Sequence, residues 1–422
     1  SFSFLFVFIA FIYYSALHGL FSSHSATVGL LSPRFLVSSI AGVLYLVIYS
    51  IGVIFLAFDV RARDLRERMH EVLDSRPYSN LELVIGRFLG VLIPAWTPML
   101  LLIVLIQLLG FLLKSSGMPI GEPAEIRSLL SFVFLIGLPT FAYIISIVFL
   151  VTLLVKNRLV ASIILVLLVA ASYGGMYFLP VYKAQAFDFF GLIQSGYPSD
   201  ITSTFMPLTG VVHRIAILIA SIGILGICAA VHPRLDDGSR GRAGFTGAII
   251  VAVAAVIVGG IFAGNMNDMK NQEIWLAAHM DYPKGHIPDI TSITGRANIL
   301  PGKGLDLDIK LSFKSPESGP IKNALFTLNP GQRIVELLDS SGKPLSYKHE
   351  NGILDITMPE TLSQGKETMI TLKTEGVPDK HFAYLKSAVN PLTLKSKDSN
   401  TTLLGNENYV FDKKFVALMP AI

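Results

Sequence analysis

Residues 58–90 read FDVRARDLRERMHEVLDSRPYSNLELVIGRFLG, a dense charged stretch set between two long apolar runs. Its first half has helical spacing. Leu65, Met69, Val72 and Leu73 fall at i, i+4, i+7 and i+8 and form one apolar stripe. The remaining faces carry charge, with Arg63/Glu67 and Asp64/Arg68 at i,i+4 spacing. Pro77 pushes Arg76 out of the helical region, so this helix is expected to stop near Asp74 or Ser75. A second helix starts at once. Ser79-Asn80-Leu81-Glu82 has the spacing of a capping box, and the helix it opens runs straight into the next apolar stretch. The pattern predicts two helices hinged at residues 75–78. Residue types alone fit either a solvated, well-capped loop or a rigid face offered to a soluble partner.

The surroundings of this stretch decide the fold class. Of 422 residues 52% are hydrophobic and only 15% charged, a balance that marks a membrane protein. Seven stretches approach the roughly 20 helical residues needed to cross a hydrocarbon core: about 2–20, 35–58, 88–113, 129–155, 159–180, 212–231 and 247–264. If 59–87, 156–158 and 232–246 share the cytosolic side, they hold Arg61, Arg63, Arg66, Arg68, Arg76, Arg87, Lys156, Arg158, Arg234, Arg240 and Arg242. The opposite short loops hold Arg34, Lys114, Arg127, Lys183 and Arg214. This bias of about two to one follows the positive-inside rule and puts the N-terminus in the cytosol and residues 265–422 outside. A net charge of +4, scattered along the chain, gives no footprint for nucleic acid. Ser1 stands at the edge of an apolar run without a basic n-region or cleavage site, so this run is not a signal peptide. The chain is expected to begin downstream of its natural start.

Few groups inside the spans carry chemistry. Polar content is limited to residues such as His18, Tyr45, Tyr49 and Gln107, so no carboxylate or histidine relay for an ion-coupled carrier is expected. Pro94, Pro98 and Pro139 should bend their helices by removing backbone donors. Gly86/Gly90 and Gly260/Gly264 match GxxxG, a pattern that arises by chance in Gly-rich apolar runs. Cys228, the single cysteine, reads as a small buried apolar residue and excludes a disulfide framework. Residues 181–211, with Phe187, Phe189, Phe190, Leu192 and Ile193 among Gly and Pro, fit an interfacial or partly dipping segment.

Beyond the last apolar run the period changes to two. In 305–313, LDLDIKLSF, residues Leu305, Leu307, Ile309, Leu311 and Phe313 fall on one face. Asn329-Pro330-Gly331, the Ser341–Pro344 turn and Asn351-Gly352 break the next stretch into strands, with Asn-Gly a two-residue hairpin signal. Residues 366–376 supply another strand. Neither a G-x-x-x-x-G-K-[ST] nor an H-E-x-x-H occurs. Residues 301–306, PGKGLD, lack the spacing of the first, and His349-Glu350 has Ile353 where the second needs histidine. No cofactor, metal site or catalytic residue is therefore expected in this chain.

Residues 70–90 resemble the coupling segment of ABC-2-type exporter permeases, in which a motif of the form E-x-L-x-S-[RK]-P-[IV]-S-x-x-E-L-[VI]-x-G-[RK] lies between spans two and three. Glu71, Leu73, Ser75, Arg76, Pro77, Ser79, Glu82, Leu83, Gly86 and Arg87 match, and Tyr78 departs. Residues 325–376 and 406–422 resemble the N-terminal β-domain of M1 aminopeptidases, without the catalytic domain that would follow. The two resemblances together imply an α-helical polytopic membrane domain, six ABC-2-like spans plus a seventh, followed by an all-β sandwich-like extracytoplasmic domain. The implied divisions are 1–231 with coupling segment 59–87, then the linker and seventh span 232–264, then 265–422. They further imply a permease subunit of an ATP-driven exporter in a bacterial cytoplasmic membrane, paired with a second copy or a homologous permease and surrounded by lipid. A cytosolic ABC ATPase would dock on Glu67, His70, Glu71, Asp74, Arg76, Pro77, Tyr78, Ser79, Asn80 and Glu82. The alternative is a non-transporting accessory subunit of a larger membrane complex.

Overall fold

The computed structural model describes residues 50–58, 78–117, 126–155, 157–191, 208–233, 239–281, 287–300, 303–379 and 381–382. The chain divides into two compact units, Ser1–Gly264 and Asn265–Ile422.

The first unit is helical. Residues 50–58 form a helical stretch. Helix α1 (Asn80–Ser115) follows the capping box and contains both Pro94 and Pro98. A short α2 (Ile126–Leu130) continues through a π-helical turn, Ser131–Gly137, into α3 (Leu138–Leu154). Helix α4 (Arg158–Phe178) starts at Asn157, whose side chain accepts from the Leu159 and Val160 backbone N–H groups. A single turn, α5 (Val181–Ala184), leads into a 3₁₀ turn at Gln185–Phe187. Helices α6 (Leu208–Val231) and α7 (Ser239–Met280) complete the helical order. Among the described residues four helical stretches are long and apolar enough to cross a membrane: Asn80–Leu112, Ser131–Leu154, Leu208–Val231 and Arg240–Met280. The apolar part of α4 is shorter, Leu159–Ser172. The first expected span, and most of the second, lie outside the described residues.

Helix α3 is the centre of this unit. Phe141, Ile145 and Val148 are fully enclosed by a cluster that includes Met99, Ile224, Leu225 and Cys228. Helix α7 is the opposite case: Phe245, Ile249, Val253 and Val256 all stand exposed. Apolar surface of this extent is unfavourable in water and is suited to lipid.

Helices α6 and α7 meet backbone to backbone. A Cβ built on Gly223 would lie 2.7 Å from the Gly247 carbonyl oxygen, and one on Gly226 2.8 Å from the Ala243 oxygen. A Cβ on Gly244 would lie 2.7 Å from the Ala230 side chain. Small residues thus create a close crossing, although neither GxxxG match in the sequence takes part. Around Gly86, Gly90, Gly260 and Gly264 nothing lies within 4 Å.

The second unit begins with the end of α7, where the sequence pattern led to an expectation of β-structure from residue 265. Among the described residues seven strands follow: β1 (Asp289–Leu300), β2 (Gly304–Lys314), β3 (Ile321–Thr327), β4 (Gln332–Leu338), β5 (Ser346–Glu350), β6 (Ile353–Leu362) and β7 (Glu367–Gly376). They form two antiparallel sheets, ordered β1-β2-β7-β4 and β3-β6-β5. The sheets share one apolar core, into which Leu305, Leu307, Ile309, Leu311 and Phe313 of β2 all point. Each is at most 2% exposed, so each side chain contributes roughly 1.5–3 kcal/mol of burial. Phe313 meets Phe326 of β3 edge to face, with ring centroids 5.1 Å apart. Asn351 (φ 51°) and Gly352 (φ 75°) turn β5 into β6 with both φ angles positive, the geometry that Asn-Gly favours.

Candidate functional site

Six of the ten residues expected to dock a partner, Glu67, His70, Glu71, Asp74, Arg76 and Pro77, lie outside the described residues. The other four, Tyr78, Ser79, Asn80 and Glu82, are described, and three of them form a defined structure. Ser79 has extended backbone (φ −75°, ψ 158°) and caps α1. Its hydroxyl accepts from the Glu82 N–H at 3.2 Å, and the Glu82 carboxylate accepts the Ser79 N–H at 2.7 Å. Both halves of the box are present, so two backbone donors at the helix start are satisfied. Asn80 is 1% exposed and its side-chain amide donates to the Ala229 carbonyl at 3.5 Å.

Ala229 belongs to the last turn of α6, where carbonyls lack helical donors. The neighbouring carbonyls are met from a third element. Arg240, in the first turn of α7, donates from Nε to the Ala230 oxygen at 3.0 Å and from Nη2 to the His232 oxygen at 2.7 Å. The start of α1, the end of α6 and the start of α7 are therefore joined at one end of the helical unit. By sequence order this is the end that receives residues 59–77.

A second polar node lies deeper, among residues that the sequence reading assigned otherwise. Arg214 was counted as a loop cation and the spans were expected to hold no buried histidine or carboxylate. Instead α6 begins at Leu208, and His213 and Arg214 are both 0% exposed, with Asp188 at 1%. All five guanidinium N–H groups are used. Nε donates to the Leu135 oxygen (3.1 Å), Nη1 to the oxygens of Asp188 (3.1 Å) and Phe189 (3.0 Å), and Nη2 to the Ile136 oxygen (3.2 Å) and Thr140 Oγ1 (2.6 Å). The acceptors exist because of local sequence. Pro139 has no N–H to offer Leu135, four residues before it. The π-helical turn sends the Leu138 N–H five residues back to Val133, so this turn does not close in the usual i→i−4 pattern. The Trp96 indole adds a donor to that same Val133 oxygen at 3.2 Å.

The node also fixes the segment after α5. Thr140 Oγ1 lies 2.9 Å from the Phe190 oxygen, and Tyr143 stacks on Phe189 with centroids 5.6 Å apart. His213 Nε2 lies 3.0 Å from the Ala186 oxygen, so that nitrogen carries the proton and donates. Its Nδ1 is buried without a hydrogen-bond partner among the described residues. Phe187 stays nearly half exposed beside Phe262, in keeping with an interfacial segment. The adjacent pair His213-Arg214, lying inside a predicted span, was the available signal for this node.

In the second unit His349 and Glu350 lie on β5, not on a helix. His349 Nε2 lies 3.2 Å from the Leu328 oxygen, and Lys348 pairs with Glu350 at 2.9 Å. Burial pulls His349 below the ordinary histidine value, with the Leu328 bond acting the other way. No group of three His, Cys, Asp or Glu side chains arranged for a metal ion occurs among the described residues.

No family model and no curated protein matches the chain. Solved structures give a local likeness. The M1 zinc metallopeptidase from Deinococcus radiodurans is 20% identical over 23% of this chain and 22% of its own, with a TM-score of 0.18. A variant of it bound to the peptide Tyr-Ser-Ala is 21% identical over 22% and 20%, also at 0.18. A two-domain M1 zinc metallopeptidase variant bound to L-arginine is 19% identical over 26% and 22%, at 0.19. This chain spans about a fifth of the length of those proteins. Scores at this level are no basis for assigning an activity.

Proposed function

We propose that this chain is the membrane subunit of an ATP-driven exporter of the ABC-2 kind. A cytosolic ATPase docks on residues 59–82, and the second unit, a β-sandwich, stands on the extracytoplasmic side of a bacterial inner membrane. Six spans build the transport domain, which pairs with a second permease, and a seventh leads to the β-domain. One observation supports this reading most: the capped start of α1 is tied through Asn80 to the end of α6. A partner pressing on the segment just before Ser79 would therefore act on two apolar helices at once.

The test is co-purification of the full chain with its cytosolic partner, followed by ATP hydrolysis in reconstituted vesicles. Glu71→Ala with Arg76→Ala is expected to abolish stimulation of ATP hydrolysis while membrane insertion stays intact. Unchanged stimulation sinks the docking assignment. Partner binding that survives with no ATP-dependent movement of any solute identifies an accessory subunit instead.

A further inference from the structure

We propose that β1 is a pairing edge for a second copy of this chain, the two β1 strands lying antiparallel about a two-fold axis at Ile293. β1 is the outer strand of the four-stranded sheet, and among the described residues no strand lies beyond it. Of its 12 residues all but Ile290 and Ile293 stand exposed. An edge of this length offers a row of free backbone donors and acceptors to another chain. The other edges are guarded. β4, at the far side of the same sheet, breaks register between Ile334 and Glu336, and its Arg333 and Glu336 pair with Glu375 and Lys373 of β7. The edges of the smaller sheet are short: β3 has 7 residues and a register shift of its own, and β5 has 5, with Lys348 and Glu350 among them. β1 carries only Asp289 and Arg296.

Those two charges select the register. Against β2, Ile290 faces Phe313 and Ser292 faces Ser312, which leaves Thr291 as an extra residue, its hydroxyl donating to Glu367 Oε1 at 2.6 Å. With Thr291 left out of the count, Asp289 and Arg296 fall on one face, opposite Lys314 and Asp308 of β2. In an antiparallel pair the opposed residues are both hydrogen-bonded or both not, so the two-fold axis of two identical strands has to pass through a residue. An axis at Ile293 sets Ser292 opposite the partner's Thr294, Ile290 opposite the partner's Gly295 and Asp289 opposite the partner's Arg296. No other axis brings the two charges into opposition. An axis at Arg296 would set it against its own copy, where like charges repel.

The same register fills a groove. A cavity of about 430 Å³ lies along β1 beside Ile290, Ile293, Gly295 and Ile309. Gly295 has φ 152°, and a Cβ there would collide with the Asp308 carbonyl oxygen, so the position has to stay without a side chain. The partner's Ile290 comes opposite this glycine. The two copies of Ile293, each resting partly on the apolar core, meet at the axis. Main-chain hydrogen bonds then give the contact its strength, and the isoleucine opposite the glycine adds specificity.

This contact goes beyond the pairing of transport domains, and its test does not involve ATP hydrolysis. Opposed residues of an antiparallel pair have Cα atoms about 4.5–5.5 Å apart, within reach of a disulfide. The single native cysteine, Cys228, is buried and is removed as Cys228→Ala. In that background, full-length Ile293→Cys in native membranes should give a covalent dimer on mild oxidation, and Val335→Cys, exposed on β4, should stay single. Adding Arg296→Asp to Ile293→Cys should lower the dimer yield roughly fivefold, since like charges then stand opposed. Adding Asp289→Arg to that variant should restore it. Should Ile293→Cys disturb the sandwich, Ser292→Cys copies expressed together with Thr294→Cys copies decide, both positions being exposed. Absence of the dimer in both designs, an equal yield from Val335→Cys, or a charge exchange that fails to restore the yield overturns the proposal. Absence of the dimer with β1 amides that still exchange slowly in membranes assigns the edge to a different chain.

Discussion

Arg214 donates from Nε to the carbonyl oxygen of Leu135 at 3.1 Å, an acceptor that Pro139 leaves without its usual helical donor. The proline and the arginine are 75 residues apart in sequence. One creates the vacancy and the other fills it. This explains how a cation persists at 0% exposure in an apolar helix: each of its five donors meets a backbone or hydroxyl acceptor.

Removal of that side chain is expected to be severe. Arg214→Ala removes a donor from the carbonyls of Leu135 and Phe189, and from those of Ile136 and Asp188, which keep Thr140 Oγ1 and the Gly191 N–H, and it leaves the buried Asp188 without its nearby cation. The loss is about 3–5 kcal/mol, the range for breaking a buried charged contact. Arg214→Lys should recover only part, because an ammonium has three donors in place of five. Thermal melts of the detergent-solubilised chain measure both, and a melt of the alanine variant that matches the parent would overturn the account.

The helix crossing offers a sharper contrast. Gly223→Ala drives a methyl into the Gly247 backbone and should cost roughly 1–3 kcal/mol. Gly260→Ala meets open space, so it should be neutral or stabilising by up to about 1 kcal/mol through helix propensity. Equal melting temperatures for the two variants would refute the backbone-to-backbone contact of α6 with α7.

At the start of α1, Ser79→Ala should cost about 1 kcal/mol through loss of the cap. The effect is local, so the expected readout is faster amide exchange at residues 80–83, with exchange in α3 unchanged. Ser79→Asp, which keeps an acceptor at the cap, should restore protection.

The β5–β6 hairpin should weaken in acid. His349 is held below the ordinary histidine value by burial, so the unfolded chain takes up the proton first as pH falls. Stability is fully present above the unfolded value of about 6.5 and is lost as pH drops toward the lower folded one. His349→Gln, able to keep a donor to the Leu328 oxygen, should remove this slope from the exchange rates of residues 346–357.

What the sequence reveals depends on how regularly each element buries itself. β2 was legible because five alternate residues enter the core, and the β5–β6 turn because Asn-Gly fits two positive φ angles. β1 was not. It is an edge strand, nearly all exposed, with its register shifted between Ile290 and Ser292, so no period of two survives. The end of α7 was missed for a related reason: Asn265–Met280 is polar, and only Gln272 and Trp275 in it are fully buried. The capping box was visible because its chemistry is local. The Arg214 node joins three distant stretches of chain, and only the fold brings Leu135 and Thr140, Asp188, and Arg214 together.

Helix α1 runs unbroken for 36 residues, Asn80–Ser115, from the Ser79–Glu82 box. At 1.5 Å per residue its contour is about 54 Å, against about 30 Å for the hydrocarbon core of a bilayer. A crossing along the membrane normal would leave roughly 24 Å of helix outside that core, shared between its two ends or concentrated at one. Were all of it on the capped side, a tilt of about 10° around the membrane surface would swing Ser79 by about 4 Å, more than the full height of two helical residues. In that arrangement the capped start of α1 would be the tip of a lever whose fulcrum is the lipid boundary, with small rotations there magnified at Ser79.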